Sequence, residues 1–195
     1  MSEQHTEMRL TIRNRGKGVP YGGSGIPRED GSANYGFKAL KGKREEAALI
    51  NEVQDEPHFR DALVAINDLS TPFFTVGCEK SFNQDEEGHW AKGYIEFAFN
   101  YCELAGDAQW YFKLFFDLNH FVWQGQFNEP VRFHFELEGA HFSAGNCAGY
   151  TLTVWITTAF MPTAEEVREI WGKSVDLLVE FLKQYPAEPS LTPMY

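Results

Sequence analysis

The chain has 195 residues, a formal net charge of −11, and compositions of 43% hydrophobic and 15% aromatic residues, the last raised by 17 Phe. It is long enough to bury a substantial core as one domain, and its acidity disfavours nucleic-acid phosphates as partners. It has no uncharged apolar run of the length that spans a bilayer, and no apolar signal core near its N-terminus.

Charge is unevenly placed. Residues 1–44 hold nine Lys and Arg against four Asp and Glu, and residues 45–195 hold eight against 24, giving net charges of +5 and −16. Residues 1–43 are dense in Gly with Pro, Ser and Asn, and are expected to form a basic, largely irregular segment in which Met8–Arg13 could make one short edge strand. The glycines around Lys17 match no phosphate-binding loop.

Residues 44–186 are expected to form a single domain. Ala47, Leu49, Ile50 and Val53 suggest a first helix, and Pro57 suits the first turn of a second, carrying Phe59, Ala62, Leu63 and Ile66 to about Leu69. Residues 73–80 read as a strand, followed by a polar loop over 83–88. Alternation then predicts strands over 94–101, 110–118, 131–138 and 150–160. The stretch 110–118 also fits a helix capped by Asp107, and the unbroken aromatic even positions favour the strand. Thr163 and Glu166 form a capping box for a helix to Tyr185, with a stripe of Val167, Ile170, Trp171, Val175, Leu178 and Leu182. Residues 187–195 are expected to be an irregular tail. The predicted architecture is α+β: a five-stranded antiparallel meander, N-terminal helices, and the C-terminal amphipathic helix on the apolar face of the sheet.

Three groups of residues are candidates for chemistry. The mixed face of the sheet is predicted to present Arg132, His134, Glu136, Trp155, Lys113, Asp117 and Phe115, with Glu96 and Tyr111 among them. Residues two apart on a strand share a face, so His134 and Glu136 could pair a base with a neighbouring cation. Ordinary cross-strand charge pairing explains the same pattern and is the simpler reading. The histidines are scattered without the i, i+4 spacing of a zinc pair, and no metal or cofactor is expected. Cys78, Cys102 and Cys147 are odd in number with no CxxC, which suggests free thiols in a reducing cytoplasm, Cys147 in an open glycine-rich loop. The aromatic face of the strands reads as core rather than as a ligand pocket.

These features suggest an acidic, cytoplasmic, non-enzymatic binding protein, such as an inhibitor, an immunity-type protein or a chaperone, for a basic or aromatic-rich protein partner. No nucleic-acid or membrane partner is expected. The alternative is a small-ligand-binding protein or enzyme that uses the mixed sheet face and its adjoining loops.

Overall fold

The computed structural model describes residues 6–26, 33–50, 53 and 55–195. The strand β1 (Glu7–Val19) is followed by short α1 (Arg44–Ala47), α2 (Pro57–Ile66), β2 (Phe73–Asp85) and β3 (Gly88–Phe99). Then come short α3 (Cys102–Ala105), α4 (Ala108–Gln124), β4 (Val131–Phe142), β5 (Cys147–Thr158) and α5 (Ala164–Leu182). Part of the expected first helix, at positions 51, 52 and 54, lies outside the described residues.

The fold is α+β with a five-stranded sheet in the order β1-β4-β5-β3-β2. It is mixed, and it is not the antiparallel meander that alternation suggests. The hairpins β2–β3 and β4–β5 pair through β3 and β5, all antiparallel, while β1 lies parallel to β4. A parallel neighbour needs a long crossover, which the span from β1 to β4 supplies, and hydrophobic alternation alone does not encode strand direction. The polar stretch at 83–85, expected as loop, continues β2 to a two-residue turn before Gly88.

The largest correction is residues 110–118, which lie in the 17-residue helix α4 rather than a strand. Tyr111, Leu114, Leu118 and Val122 form its buried stripe, at the 3.6-residue spacing of a helix. The Asp107 side chain caps it by accepting from the Gln109 N–H at 2.9 Å.

The principal core lies between one sheet face and the helices. Phe133, Phe135, Leu137, Leu152, Val154, Ile156, Ile95 and Phe97 point from the sheet into this core and are buried. α5 carries the predicted capping box, and packs against α2 and across β3 and β5. Trp171 is 1% exposed, with its ring edge-on to Phe59 and Phe82. Gly93 admits it: a Cβ there would stand 2.5 Å from the Trp171 ring.

Among the described residues, the opposite sheet face carries an aromatic cluster at one end. Phe37, Phe74, Phe142 and Tyr195 stack there, with centroids 4.8 Å apart for Phe74 and Tyr195 and 6.0 Å for Phe74 and Phe142. The C-terminal tail is tied down, since Asn100 exchanges two hydrogen bonds with the Tyr195 backbone, each 2.9 Å. Lys41, on the connection after β1, is also fixed. Its ammonium donates to the carbonyls of Asp68, Thr71 and Phe73 at 2.6–2.7 Å. Burial pushes its pKa down to about 8, against the opposing charge of Asp68.

Candidate functional site

The other end of that face is a grid built by cross-strand register. Glu7, Arg132 and Thr157 form one row, Arg9, His134, Trp155 and Tyr94 the next, and Thr11, Glu136, Thr153 and Glu96 the third. Side chains in register on neighbouring strands share a face, so Arg132, His134, Glu136 and Trp155 are brought together.

Each of them is engaged. The Trp155 indole N–H donates to Glu136 Oε2 at 2.8 Å, and Arg13 bonds the other oxygen of the same carboxylate. Burial raises the Glu136 pKa, but the bonds from Arg13 and Trp155 outweigh it and hold the carboxyl below the ordinary glutamate value. Glu136 is therefore a fixed carboxylate at neutral pH and not a proton carrier. His134 Nε2 and Thr11 Oγ1 share a hydrogen bond of 2.8 Å, and Arg132 donates to Glu7 at 2.5 Å. The Trp155 ring packs on Tyr94 at 4.6 Å, with the Lys92 ammonium 4.6 Å from its centroid.

The network extends along β1. Arg15 pairs with Glu138 at 2.9 Å, while Lys17 pairs with Glu96 and lies 3.8 Å from Glu138. The three glutamates Glu96, Glu136 and Glu138 are all buried. Burying a carboxylate is costly without a cation and hydrogen bonds, and β1 supplies both. These contacts make the face an electrostatic seam that fastens β1 to the sheet.

Lys113, Asp117 and Phe115 do not join it. They sit on α4, on the other side of the sheet, where Phe115 packs on the core residue Phe135 at 5.3 Å. Asp117 accepts from Lys113 and from the Tyr185 hydroxyl. Burial pushes the Asp117 pKa up, but the two donors prevail and its carboxyl stays below the ordinary range.

The cysteines depart from expectation. Cys102 and Cys147 form a disulfide, and Cys78 stands outside it. The bond joins α3 to the start of β5, and bonds of this kind persist in oxidising surroundings rather than the reducing ones suggested by the odd count. Among the described residues no group of three or more His, Cys, Asp or Glu is arranged to hold a metal. Among the described residues no helix is long and apolar enough to cross a membrane. A cleft of about 260 Å³ lies between the β2–β3 hairpin and the start of α5, lined by Phe82, Asn83, Gln84, His89, Trp90 and Val167.

Sequence reasoning missed a second surface. Phe116 is 65% exposed and Trp123 is 76% exposed. With Phe112 and His120 they follow one another at i, i+4, i+8 and i+11, a single stripe on the outer side of α4. The His120 and Trp123 rings lie 6.2 Å apart. The helical spacing was present in the sequence, but it is visible only when 108–124 is read as a helix. Comparison with protein-family models, curated proteins and solved structures finds no match to this chain.

Proposed function

We propose that this protein is a non-enzymatic binding module that docks a basic protein against the outer stripe of α4. The observation that carries the reading is the pair Phe116 and Trp123, two large apolar side chains in solvent on one helix face. Exposed aromatics grouped in this way mark contact surfaces, and Trp is enriched among residues that dominate binding energy. The charge of the partner follows from the surplus of carboxylates. Residues 45–195 hold 24 Asp and Glu against eight Lys and Arg. Six of those cations are paired with carboxylates and Lys92 lies over Trp155. The remaining negative field attracts a cationic surface and speeds its encounter.

The test is parallel capture from lysate with the wild-type chain and the Phe116→Ala/Trp123→Ala variant, at low and high salt. Basic proteins retained by the wild type at low salt, and lost both from the variant and at high salt, support the reading. Equal retention by the two chains overturns it. The competing small-ligand reading is favoured by the cleft beside Trp90. It predicts that Trp90→Ala abolishes binding of a small molecule while Phe116→Ala/Trp123→Ala has no effect.

A further inference from the structure

We propose that the outer edge of β4 is a docking site for a basic, extended segment of a partner protein, and that β1 is the chain's own removable occupant of that edge. Of the 13 residues of β1, only Val19 is buried. Ile12, which points to the helix side of the sheet with Met8 and Leu10, is 62% exposed. Met8 and Leu10 pack only partly on the core, so the strand is held mainly by its backbone ladder and its ion pairs, and a segment with little buried apolar surface opens more readily than the central strands.

What β1 leaves behind defines the ligand. Opening it frees a row of β4 backbone donors and acceptors, a template for another strand. It also removes Arg13 from Glu136, Arg15 from Glu138 and Lys17 from Glu96 and Glu138. Those carboxylates belong to β3 and β4 and are enclosed when a strand covers the edge, so a segment that re-covers it is favoured when it brings cations to pair with them. The segment that fits is a strand with Arg or Lys on one face and apolar side chains on the other, as in Arg9, Thr11 and Arg13 against Met8, Leu10 and Ile12. The inference rests on the reading that the partner is basic. It uses different residues from the α4 stripe, on the opposite sheet face, so either surface can fail alone.

The probe is a fluorescent peptide with the sequence of residues 6–19, titrated onto the full chain and followed by anisotropy. Saturable binding that weakens with added salt is expected. Arg13→Ala/Arg15→Ala loosens the resident strand and leaves the β4 edge intact, so it should tighten peptide binding about tenfold by raising the fraction of chains with an open edge. Arg60→Ala/Lys183→Ala makes the same change in net charge and should leave affinity unchanged. Hydrogen exchange should show residues 7–19 losing protection on peptide binding while 147–158 keep theirs. Three results overturn the proposal: no saturable binding to Arg13→Ala/Arg15→Ala, equal tightening in the control variant, or binding that leaves β1 protected. Conversion of Arg13→Ala/Arg15→Ala to a dimer would also overturn it, by assigning the edge to β1 of a second copy.

Discussion

The Trp155 indole N–H donates to the Glu136 carboxylate at 2.8 Å across the β4–β5 pair, and the same carboxylate accepts from Arg13 of β1. One buried acid thus couples three strands. Trp155→Phe keeps most of the ring packing on Tyr94 and removes the donor, which should cost roughly 1.5–3 kcal/mol, the range for a hydrogen bond to a charged group. The check is a urea titration. An unchanged midpoint would mean that solvent already satisfies Glu136 and that the seam contributes nothing to stability.

Acid should weaken both this seam and the Asp117 contacts on α4. Glu136 and Asp117 both have pKa values below their ordinary ones in the folded chain. A depressed carboxyl contributes stability that is fully present above its unfolded pKa and is lost as pH falls through its folded value. Unfolding free energy should therefore decline below about pH 4.5. Glu136→Gln should be less stable than wild type at neutral pH, and the gap should narrow as pH falls through the acid range. A gap independent of pH would show that the Glu136 charge plays no part.

Lys17 is the cation shared by Glu96 and Glu138. Removing one partner of a nearly enclosed pair leaves an uncompensated charge, so Lys17→Met should cost about 2–4 kcal/mol, somewhat below a fully buried pair because Lys17 retains some exposure. Adding Glu96→Gln should recover part of that loss, as a double-mutant cycle would show. Strictly additive losses would mean that the two side chains do not interact.

The hairpins and α5 were legible because their signals are local. Alternation in 131–138 and 150–160 put Arg132, His134, Glu136 and Trp155 on one face, and the structure has them there. The stretch 108–124 is apolar nearly all round, so its even positions imitate a strand although Tyr111, Leu114, Leu118 and Val122 carry the core. Met8–Arg13 was legible as an edge strand and lies in β1, but its continuation to Val19, through a segment expected to be irregular, was obscured by charge and glycine and by partners on β4 more than 120 residues away. Cys102 and Cys147 are separated by 45 residues and are brought together only by the docking of α3 on β5.

That bond gives a further expectation. Closing a loop of 45 residues restricts the unfolded chain by about 4 kcal/mol in the chain-entropy model, so Cys102→Ser/Cys147→Ser should lose roughly 2–4 kcal/mol. Thiol titration of the native chain should find Cys78 as its single thiol, and added reductant should lower the melting temperature of wild type but not of the double variant. Three titratable thiols in material purified without reductant would contradict the pairing.

Trp171 separates packing from polarity in the principal core. Its indole N–H is buried without a hydrogen-bond partner among the described residues, and its ring packs on Phe59, on Phe82 and over Gly93. Trp171→Ala should therefore cost about 3–5 kcal/mol, the scale of a large aromatic deletion. Trp171→Phe gives up ring volume but no hydrogen bond and relieves an unsatisfied donor, so it should cost less than half as much. Gly93→Ala should be nearly as damaging as Trp171→Ala, because the added methyl meets both the Trp171 ring and the Glu79 carbonyl at about 2.5 Å or less. In Trp171→Ala/Gly93→Ala the methyl no longer meets the ring and only the backbone clashes with Glu79 and Lys80 remain, so the combined loss should fall short of the sum of the two. A fully additive pair, measured by denaturant titration, would show that α5 does not seat Trp171 on Gly93.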